Sequence, residues 1–332
     1  MYPLEPEPAR SRPSVVRAAI LVGLAALLAP AHTSAQCRIT GTAPAEDLEL
    51  ARAACARAAE RFDLLYGVVP PGGEIELSAE VGYFEVVTYA PAWKIVWPSS
   101  QRMAETFASV PLGEQTPGQA IEEQWSAVLP HELGHLLLTA AAHHRRTSDR
   151  EPHALPDWIH EGTAVWMEPP AYRSSEYDIL RALQPFVPSL EAIVRMSIST
   201  PSQRGEAGST VSRTFYPCAT AEACDGRPHW SETFTVTTRH FPDGRIHTDT
   251  TFHDAPPPPP DPLTANFYAY SATLVRYLYD RGGSAAMLSA LDRSLASGDE
   301  TPSLDGLPAL PRGTGALQAD WAAWIRRWIF DR

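Results

Sequence analysis

The sequence predicts an α+β fold in which a small sheet and several amphipathic helices share one domain. Apolar residues recur at three- and four-residue steps over residues 46–66, which is typical of one face of a helix. Short β-rich runs separated by Gly and Pro come next, at residues 74–78, 81–89 and 94–98. These runs predict a small antiparallel or mixed sheet.

The rest of the chain is predicted to be mainly helical, with one interruption. Helical patterns cover residues 118–142, 157–168, 263–280, 284–295 and 316–330. Between about residues 199 and 262 the composition shifts to Gly, Ser, Thr and Pro, and two β-rich runs, 233–238 and 245–251, flank a turn. We interpret residues 199–262 as an insertion that carries a hairpin, inside one domain spanning residues 36–332.

Residues 1–35 are predicted to be a secretory signal peptide. Arg17 precedes an uncharged apolar stretch at residues 18–29, and the small residues 33–35 offer a cleavage site near Ala35. A membrane anchor is the alternative interpretation. This apolar stretch, however, is shorter than the roughly 20 residues that a helix needs to cross a bilayer. We therefore expect a secreted or periplasmic protein.

The charge and the cysteines narrow the expected partners and chemistry. The chain of 332 residues has a formal net charge of −12, which makes nucleic acid an unfavourable partner. Its four cysteines are an even number in a chain predicted to be exported, which favours two disulfides over a metal site or a nucleophile. Their order suggests the pairs Cys37–Cys55 and Cys218–Cys224.

The sequence HELGH at residues 131–135 is the strongest functional signal in the chain. Residues four apart lie above one another on a helix, so His131 and His135 can present two imidazole nitrogens to one ion. Zinc with three protein ligands keeps a position for water and needs a nearby carboxylate to take the water's proton. The pattern therefore predicts one zinc ion per chain, with Glu132 as general base. Pro130 cannot donate a helical hydrogen bond and is expected to kink the helix or begin a new one.

A third ligand must come from elsewhere in the chain. The metzincin solution is excluded, because Leu138 and Ala141 stand where HExxHxxGxxH requires Gly and His. The predicted helix 157–168 offers Glu161, which is followed by small residues that allow close helix packing. Glu161 is the best candidate for the third ligand. We expect solvated or helix-start positions for His143, His144, Asp157 and Glu168, and leave a structural and a ligand-supporting role equally open for His160.

These motifs resemble those of the gluzincin metallopeptidases, in particular the bacterial peptidase-MA-like proteins. HELGH matches the family's HELxH, and residues 156–164 match its later P-x-W-x-x-E-G-x-A helix. The segment FYAYS at residues 267–271, followed by LVRYL at 274–278, is similar to the family's YAQS helix, with Tyr270 in place of the usual Gln. The resemblance covers residues 74–295 apart from the insertion, and it implies a zincin-like fold.

The resemblance also implies roles for individual residues. It assigns Glu161 as the third zinc ligand. It places Tyr268 at the family's tyrosine position, where we expect it to stabilise the oxyanion of the reaction, with Tyr270 and Tyr216 as alternates. In related sheets the edge strand before the active helix binds substrate backbone, and residues 94–97 are the candidate by position.

The function predicted from these features is that of a secreted zinc metallopeptidase acting on peptide or protein substrates. Two alternatives stay open. The first is a non-catalytic, zinc-stabilised binding protein that uses the insertion and the Cys218–Cys224 loop, and the second is a zinc hydrolase of non-peptide amides. Glu132 favours catalysis, because a structural zinc site is usually closed by a fourth protein ligand and needs no base.

Overall fold

The computed structural model describes residues 37–108, 115–145, 155–182, 187–195, 209–214, 233–240, 246–253, 266–297 and 303–330. The predicted signal peptide and the predicted Cys218–Cys224 pair lie outside these residues. Within them the fold is α+β, with a small mixed sheet and mostly helical content, as the sequence predicts. No helix in these ranges combines the length and the apolar character needed to cross a membrane.

Four short strands form the first sheet, in the order β1-β2-β4-β3. Their bounds are Cys37–Gly41 for β1, Gly73–Ser78 for β2, Glu85–Thr88 for β3 and Trp93–Pro98 for β4. The pairs β1–β2 and β2–β4 are parallel, and only β3–β4 is antiparallel. The sheet is therefore mixed. The strand β1 has no counterpart among the predicted strands, and the predicted run at residues 81–89 forms a strand only over β3.

The position of β4 corrects one expectation from the sequence. Residues 94–97 belong to β4, which lies between β2 and β3 and pairs with both. Its backbone groups are therefore used within the sheet, and β4 cannot be the edge strand that binds substrate. The edge next to β4 is β3. Alternate residues of β4, including Trp93, Ile95 and Trp97, are buried in the core.

The first helix, α1 (Ala45–Tyr66), is amphipathic, as its periodicity predicts. Its buried face includes Cys55 and Phe62, and it ends at Gly67, whose φ of 67° suits a glycine in the left-handed region. Cys55 forms a disulfide with Cys37 in β1, which confirms this predicted pair. The disulfide therefore attaches the first strand of the sheet to the first helix.

The HELGH segment lies on a helix that directly follows a π-helical turn. Helix α2 spans Ser100–Phe107, and α3 spans Pro117–Glu123, where Thr116 and Gln119 form a capping box. One π-helical turn, Gln124–Val128, then leads into α4 (Leu129–Arg145). The wider turn accommodates the missing N–H of Pro130, because the regular hydrogen-bond pattern is already broken there. The prediction that Pro130 kinks the helix or begins a new one stays a prediction.

The remaining helices follow α4 in the chain and pack mainly on one another. Helix α5 (Asp157–Met167) packs against α4, and α6 (Pro170–Ala182) and α7 (Leu190–Arg195) follow it. A long helical run, α8 (Phe267–Ser297), packs on α5 and breaks at Gly283, whose φ is 59°. The break agrees with the two helices predicted for this region. Helix α9 spans Thr314–Ile325, and a π-helical turn, Arg326–Phe330, follows it.

The described part of the predicted insertion forms a second, antiparallel sheet. Its strands are β5 (Ser209–Thr214), β6 (Thr233–His240) and β7 (Ile246–His253), in that order. The pairing of β6 with β7 confirms the predicted hairpin strands. The domain boundaries assigned to the insertion stay a prediction.

Two glycines allow α4, α5 and α8 to approach closely. A Cβ atom at Gly134 in α4 would lie 2.7 Å from the Cα atom of Ala164 in α5. A Cβ atom at Gly162 would lie 2.6 Å from the carbonyl oxygen of Ser271 in α8. Neither distance is compatible with a side chain, because both neighbours are backbone atoms. The small residues that follow Glu161 therefore serve close helix packing, as the sequence suggests.

Candidate metal centre

Helices α4 and α5 bring together the three predicted ligands. The Glu161 Oε2 atom lies 3.7 Å from His131 Nε2 and 3.6 Å from His135 Nε2. One potential ligand atom from each residue lies within 4.8 Å of the other two. These three residues form a possible metal-binding triad, and it is the only such group of His, Cys, Asp and Glu in the ranges described above.

The triad lies on the least buried side of α4. Leu133, Leu136 and Leu137 are fully buried in the core, whereas the side chains of His131 and His135 are 18% and 20% exposed. The two imidazole rings lie one helical turn apart, with centroids separated by 5.0 Å. The apolar residues of α4 thus fix the helix in the core and turn the polar residues of HELGH towards the surface.

The geometry of the triad fits a small cation. The Glu161 Oε2 atom is buried and has no hydrogen-bond partner, and its distances to both histidines are longer than a hydrogen bond. A buried carboxylate oxygen without a partner is costly. Ligands placed about 2.1 Å from a tetrahedral ion lie roughly 3.4 Å apart, close to the spacing observed here. Two imidazole nitrogens and one carboxylate oxygen are also a donor set typical of zinc.

Glu168 supports His131 from the side opposite Glu161. The Nδ1–H group of His131 donates a hydrogen bond of 2.8 Å to Glu168 Oε1, and the Glu168 side chain is only 15% exposed. A carboxylate on the second ring nitrogen fixes the orientation of a metal-binding histidine and leaves Nε2 free to bind. The expectation that Glu168 is a solvated surface charge is wrong. Glu168 lies seven residues after Glu161, which is two helical turns and therefore the same face.

The two histidines differ in their affinity for protons. Burial lowers the pKa of His131, but the Glu161 and Glu168 carboxylates outweigh burial and raise that pKa to about 10. Burial, reinforced by the His131 and His160 side chains, lowers the pKa of His135 to about 2. His135 is therefore neutral, the form that binds metal, whereas an ion that binds His131 must displace a proton. Metal binding at this site is expected to release that proton.

Glu132 lies beside the triad at a cavity of about 270 Å³, which we call the metal cleft. Burial and the neighbouring Glu161 raise the pKa of Glu132, against the opposing effect of His131. A carboxylate in such surroundings accepts a proton more readily than one in water. The lining residues of the metal cleft come from β3 and the turn after it, from α4 and from α5: Val86, Tyr89, Glu132, His135, Leu136, Thr139, Asp157, His160 and Glu161.

Tyr268 and Tyr270, two of the residues proposed to stabilise an oxyanion, have different surroundings in the structure. The Tyr268 ring in α8 lies 6.4 Å from the His131 ring, and 44% of its surface is exposed. Tyr270 is only 1% exposed and packs in the core. The geometry therefore favours Tyr268 over Tyr270. The third candidate, Tyr216, lies outside the described residues.

The other histidines of this region divide into two groups. His143 and His144 are exposed at the end of α4, as expected, and His144 bonds the carbonyl oxygen of Pro91 at 3.2 Å. His160 instead lines the metal cleft, with its ring 5.8 Å from that of His135. Burial lowers the pKa of His160, which keeps it neutral. His160 therefore contacts the site without belonging to the triad.

A larger cavity, of about 590 Å³, lies between α7 and the start of α9. Its lining mixes apolar residues such as Leu190 and Leu317 with the ion pair Glu191–Arg195. It contains no cluster of metal-ligating side chains among the described residues. We therefore place the candidate site at the smaller metal cleft.

Comparisons of the chain with protein-family models, with curated proteins and with solved structures found no match. The resemblance to the gluzincins therefore stays a prediction based on the motif residues. The geometry of the triad is independent of that resemblance.

Glu168 provides a test of the metal centre that does not depend on activity. Replacing it with Ala is expected to weaken zinc binding by about 10–100-fold, because His131 loses the carboxylate that orients it. Glu168→Gln keeps a hydrogen-bond acceptor, so its zinc affinity is expected to fall less than that of Glu168→Ala. Competition with a chelating dye near neutral pH measures both affinities. Wild-type affinity in Glu168→Ala would contradict this supporting role.

Proposed function

We propose that the protein is a secreted zinc metallopeptidase of the gluzincin type, with a zincin-like fold, which hydrolyses peptide bonds. The observation that supports this proposal best is the buried Glu161 oxygen that faces two imidazole nitrogens, with Glu132 beside them at an open cleft. The Cys37–Cys55 disulfide is consistent with an extracytoplasmic location, where such bonds persist.

The chemistry divides between the ion and the chain's own side chains. Zinc held by the triad would polarise a substrate carbonyl and make a water molecule more acidic. Glu132 takes the proton from the attacking water and later gives it to the leaving amine, so that one carboxylate serves as base and then as acid. Tyr268 donates a hydrogen bond to the carbonyl oxygen as negative charge develops on it. Leu136 and Val86 contribute the apolar part of the cleft wall.

A hydrolytic site explains the geometry better than a purely structural zinc site. Structural zinc is usually enclosed by four protein ligands, whereas the described residues supply three and the cleft opens beside them. A structural site also has no use for a carboxylate such as Glu132, which is partly buried at the cleft without being part of the triad. These two features support catalysis over zinc-stabilised binding.

Cleavage profiling tests the proposal directly. The zinc-loaded mature protein is incubated with a mixed peptide library, with and without a chelator, and the products are identified by mass spectrometry. We expect cleavage that the chelator stops and that added zinc restores. Cleavage of simple acyl amides but of no peptide would favour a zinc hydrolase of non-peptide amides. A zinc-loaded protein that cleaves neither would contradict a hydrolytic function.

The variant Tyr268→Phe tests whether the Tyr268 hydroxyl stabilises the oxyanion. This change keeps the ring beside His131 and removes only the hydroxyl group. We expect kcat to fall on the order of 10²-fold with little change in zinc content, because one donor to the developing charge is lost. Steady-state kinetics and metal analysis provide the two readouts. An unchanged kcat would assign Tyr268 to packing alone.

A further inference from the structure

The wall of the metal cleft on the sheet side ends in an exposed aromatic residue, Tyr89. It lines the cleft together with Glu132, His135 and Glu161, although 43 residues separate it from Glu132 in the sequence. Tyr89 is 52% exposed, so a molecule bound in the cleft can reach its hydroxyl group. Tyr89 has no part in the metal centre or in the chemistry described above.

The fold holds Tyr89 at this place from two sides. Tyr89 directly follows β3, the strand at the edge of the sheet, where a register shift between Val86 and Thr88 turns the chain. Just beyond it, the carbonyl oxygen of Pro91 bonds the His144 ring at the end of α4. The segment that carries Tyr89 is thus attached both to the sheet and to the helix of the HELGH motif.

Tyr89 and Tyr268 lie beside different residues of the site. Tyr89 lines the metal cleft together with Glu132, and burial, followed by the Glu132 carboxylate, raises the pKa of the Tyr89 hydroxyl. The Tyr268 ring instead lies 6.4 Å from the His131 ring, tilted by 42°. The two hydroxyl groups are therefore placed to contact different parts of a bound amide.

We propose that the Tyr89 hydroxyl binds the N–H group of the scissile amide, beside Glu132. This inference rests on the proposed function and extends it to a substrate-binding residue. When the amide bond breaks, the C–N electron pair stays on nitrogen, which takes the proton held by Glu132. The amide nitrogen must therefore lie beside Glu132, and Tyr89 is the neutral hydrogen-bonding side chain that the sheet side contributes to the cleft lined by that carboxylate. Its hydroxyl oxygen can accept a hydrogen bond from the N–H and keeps its own proton throughout.

A pair of matched substrates tests this contact. The best peptide from the library is compared with an ester of the same sequence, in which oxygen replaces the scissile N–H. Both are assayed with the wild type, with Tyr89→Phe and with Tyr83→Phe. Tyr83 is an exposed tyrosine just before β3 that does not line the cleft, so it controls for loss of a hydroxyl group near the sheet edge.

We expect Tyr89→Phe to lower kcat/KM on the peptide by about tenfold and to leave the ester nearly unaffected, because the ester has no N–H to bind. Tyr83→Phe should match the wild type on both substrates, and all three proteins should contain the same amount of zinc. Equal losses on peptide and ester, or no loss on the peptide, would overturn the role of Tyr89 and leave the proposed function intact. A wild type that contains zinc but cleaves no peptide would instead refute the proposed function, and this inference with it.

Discussion

Replacing Glu132 with Gln is expected to leave zinc in place and to remove nearly all hydrolysis. Glutamine has almost the same shape, but its amide cannot take a proton from water or return one to the leaving amine. We expect kcat to fall by about 10²–10⁴-fold, the usual contribution of a positioned acid–base group. Zinc should stay bound, because the triad consists of His131, His135 and Glu161.

The matched control for this variant is Glu122→Gln. Glu122 is an exposed acid on α3, so its replacement makes the same change in net charge outside the cleft. Zinc per chain is measured by metal analysis, and kcat on the best library peptide. Glu132→Gln turning over substrate at the wild-type rate would exclude the acid–base role assigned here. Loss of its zinc would mean that Glu132 is itself a ligand.

Loss of the two histidines is expected to remove the metal altogether. His131→Ala and His135→Ala each delete one of the three donors, and the remaining two cannot hold zinc at comparable affinity. The loss should exceed the about 10–100-fold caused by removing a supporting residue such as Glu168. Since a bound ion stabilises the folded state, zinc should raise the Tm of the wild type but not of the double variant.

His143→Ala is the control for these substitutions. His143 lies on the same helix, but it is exposed and outside the triad, so its removal should change neither zinc content nor the zinc-dependent shift in Tm. Metal analysis and differential scanning calorimetry give the two measurements. Full zinc occupancy in the double variant would refute the assignment of the triad.

Much of the candidate site could be predicted from local sequence patterns. The spacing of His131 and His135 places them on one helical face whatever the tertiary structure, because that face depends only on helix geometry. Glu161 could be selected because it lies on a second predicted helix followed by small residues. The glycine contacts explain this pattern, since Gly162 lies against the backbone of α8.

The parts that could not be predicted depend on contacts between distant segments. The strand β1 pairs in parallel with β2, and β2 pairs in parallel with β4. Both pairings join segments that are separated by other elements, so no local sequence pattern predicts them. The position of Tyr89 at the metal cleft also depends on contacts between distant segments, so no local sequence pattern predicts it. Glu168 is different, because its spacing of seven residues from Glu161 would have placed both on one face. The charge of Glu168, considered without this spacing, favoured a position at the surface.

The close packing at Gly134 has a consequence for ion selectivity. Because α4 and α5 meet backbone to backbone at that point, the main chain fixes the spacing of the two helices that carry the histidines and Glu161. Larger ions need longer bonds to the same three atoms, so a fixed helix spacing favours small cations over large ones. We therefore expect Gly134 to contribute to the preference for one metal over another, although it has no side chain and is not a ligand.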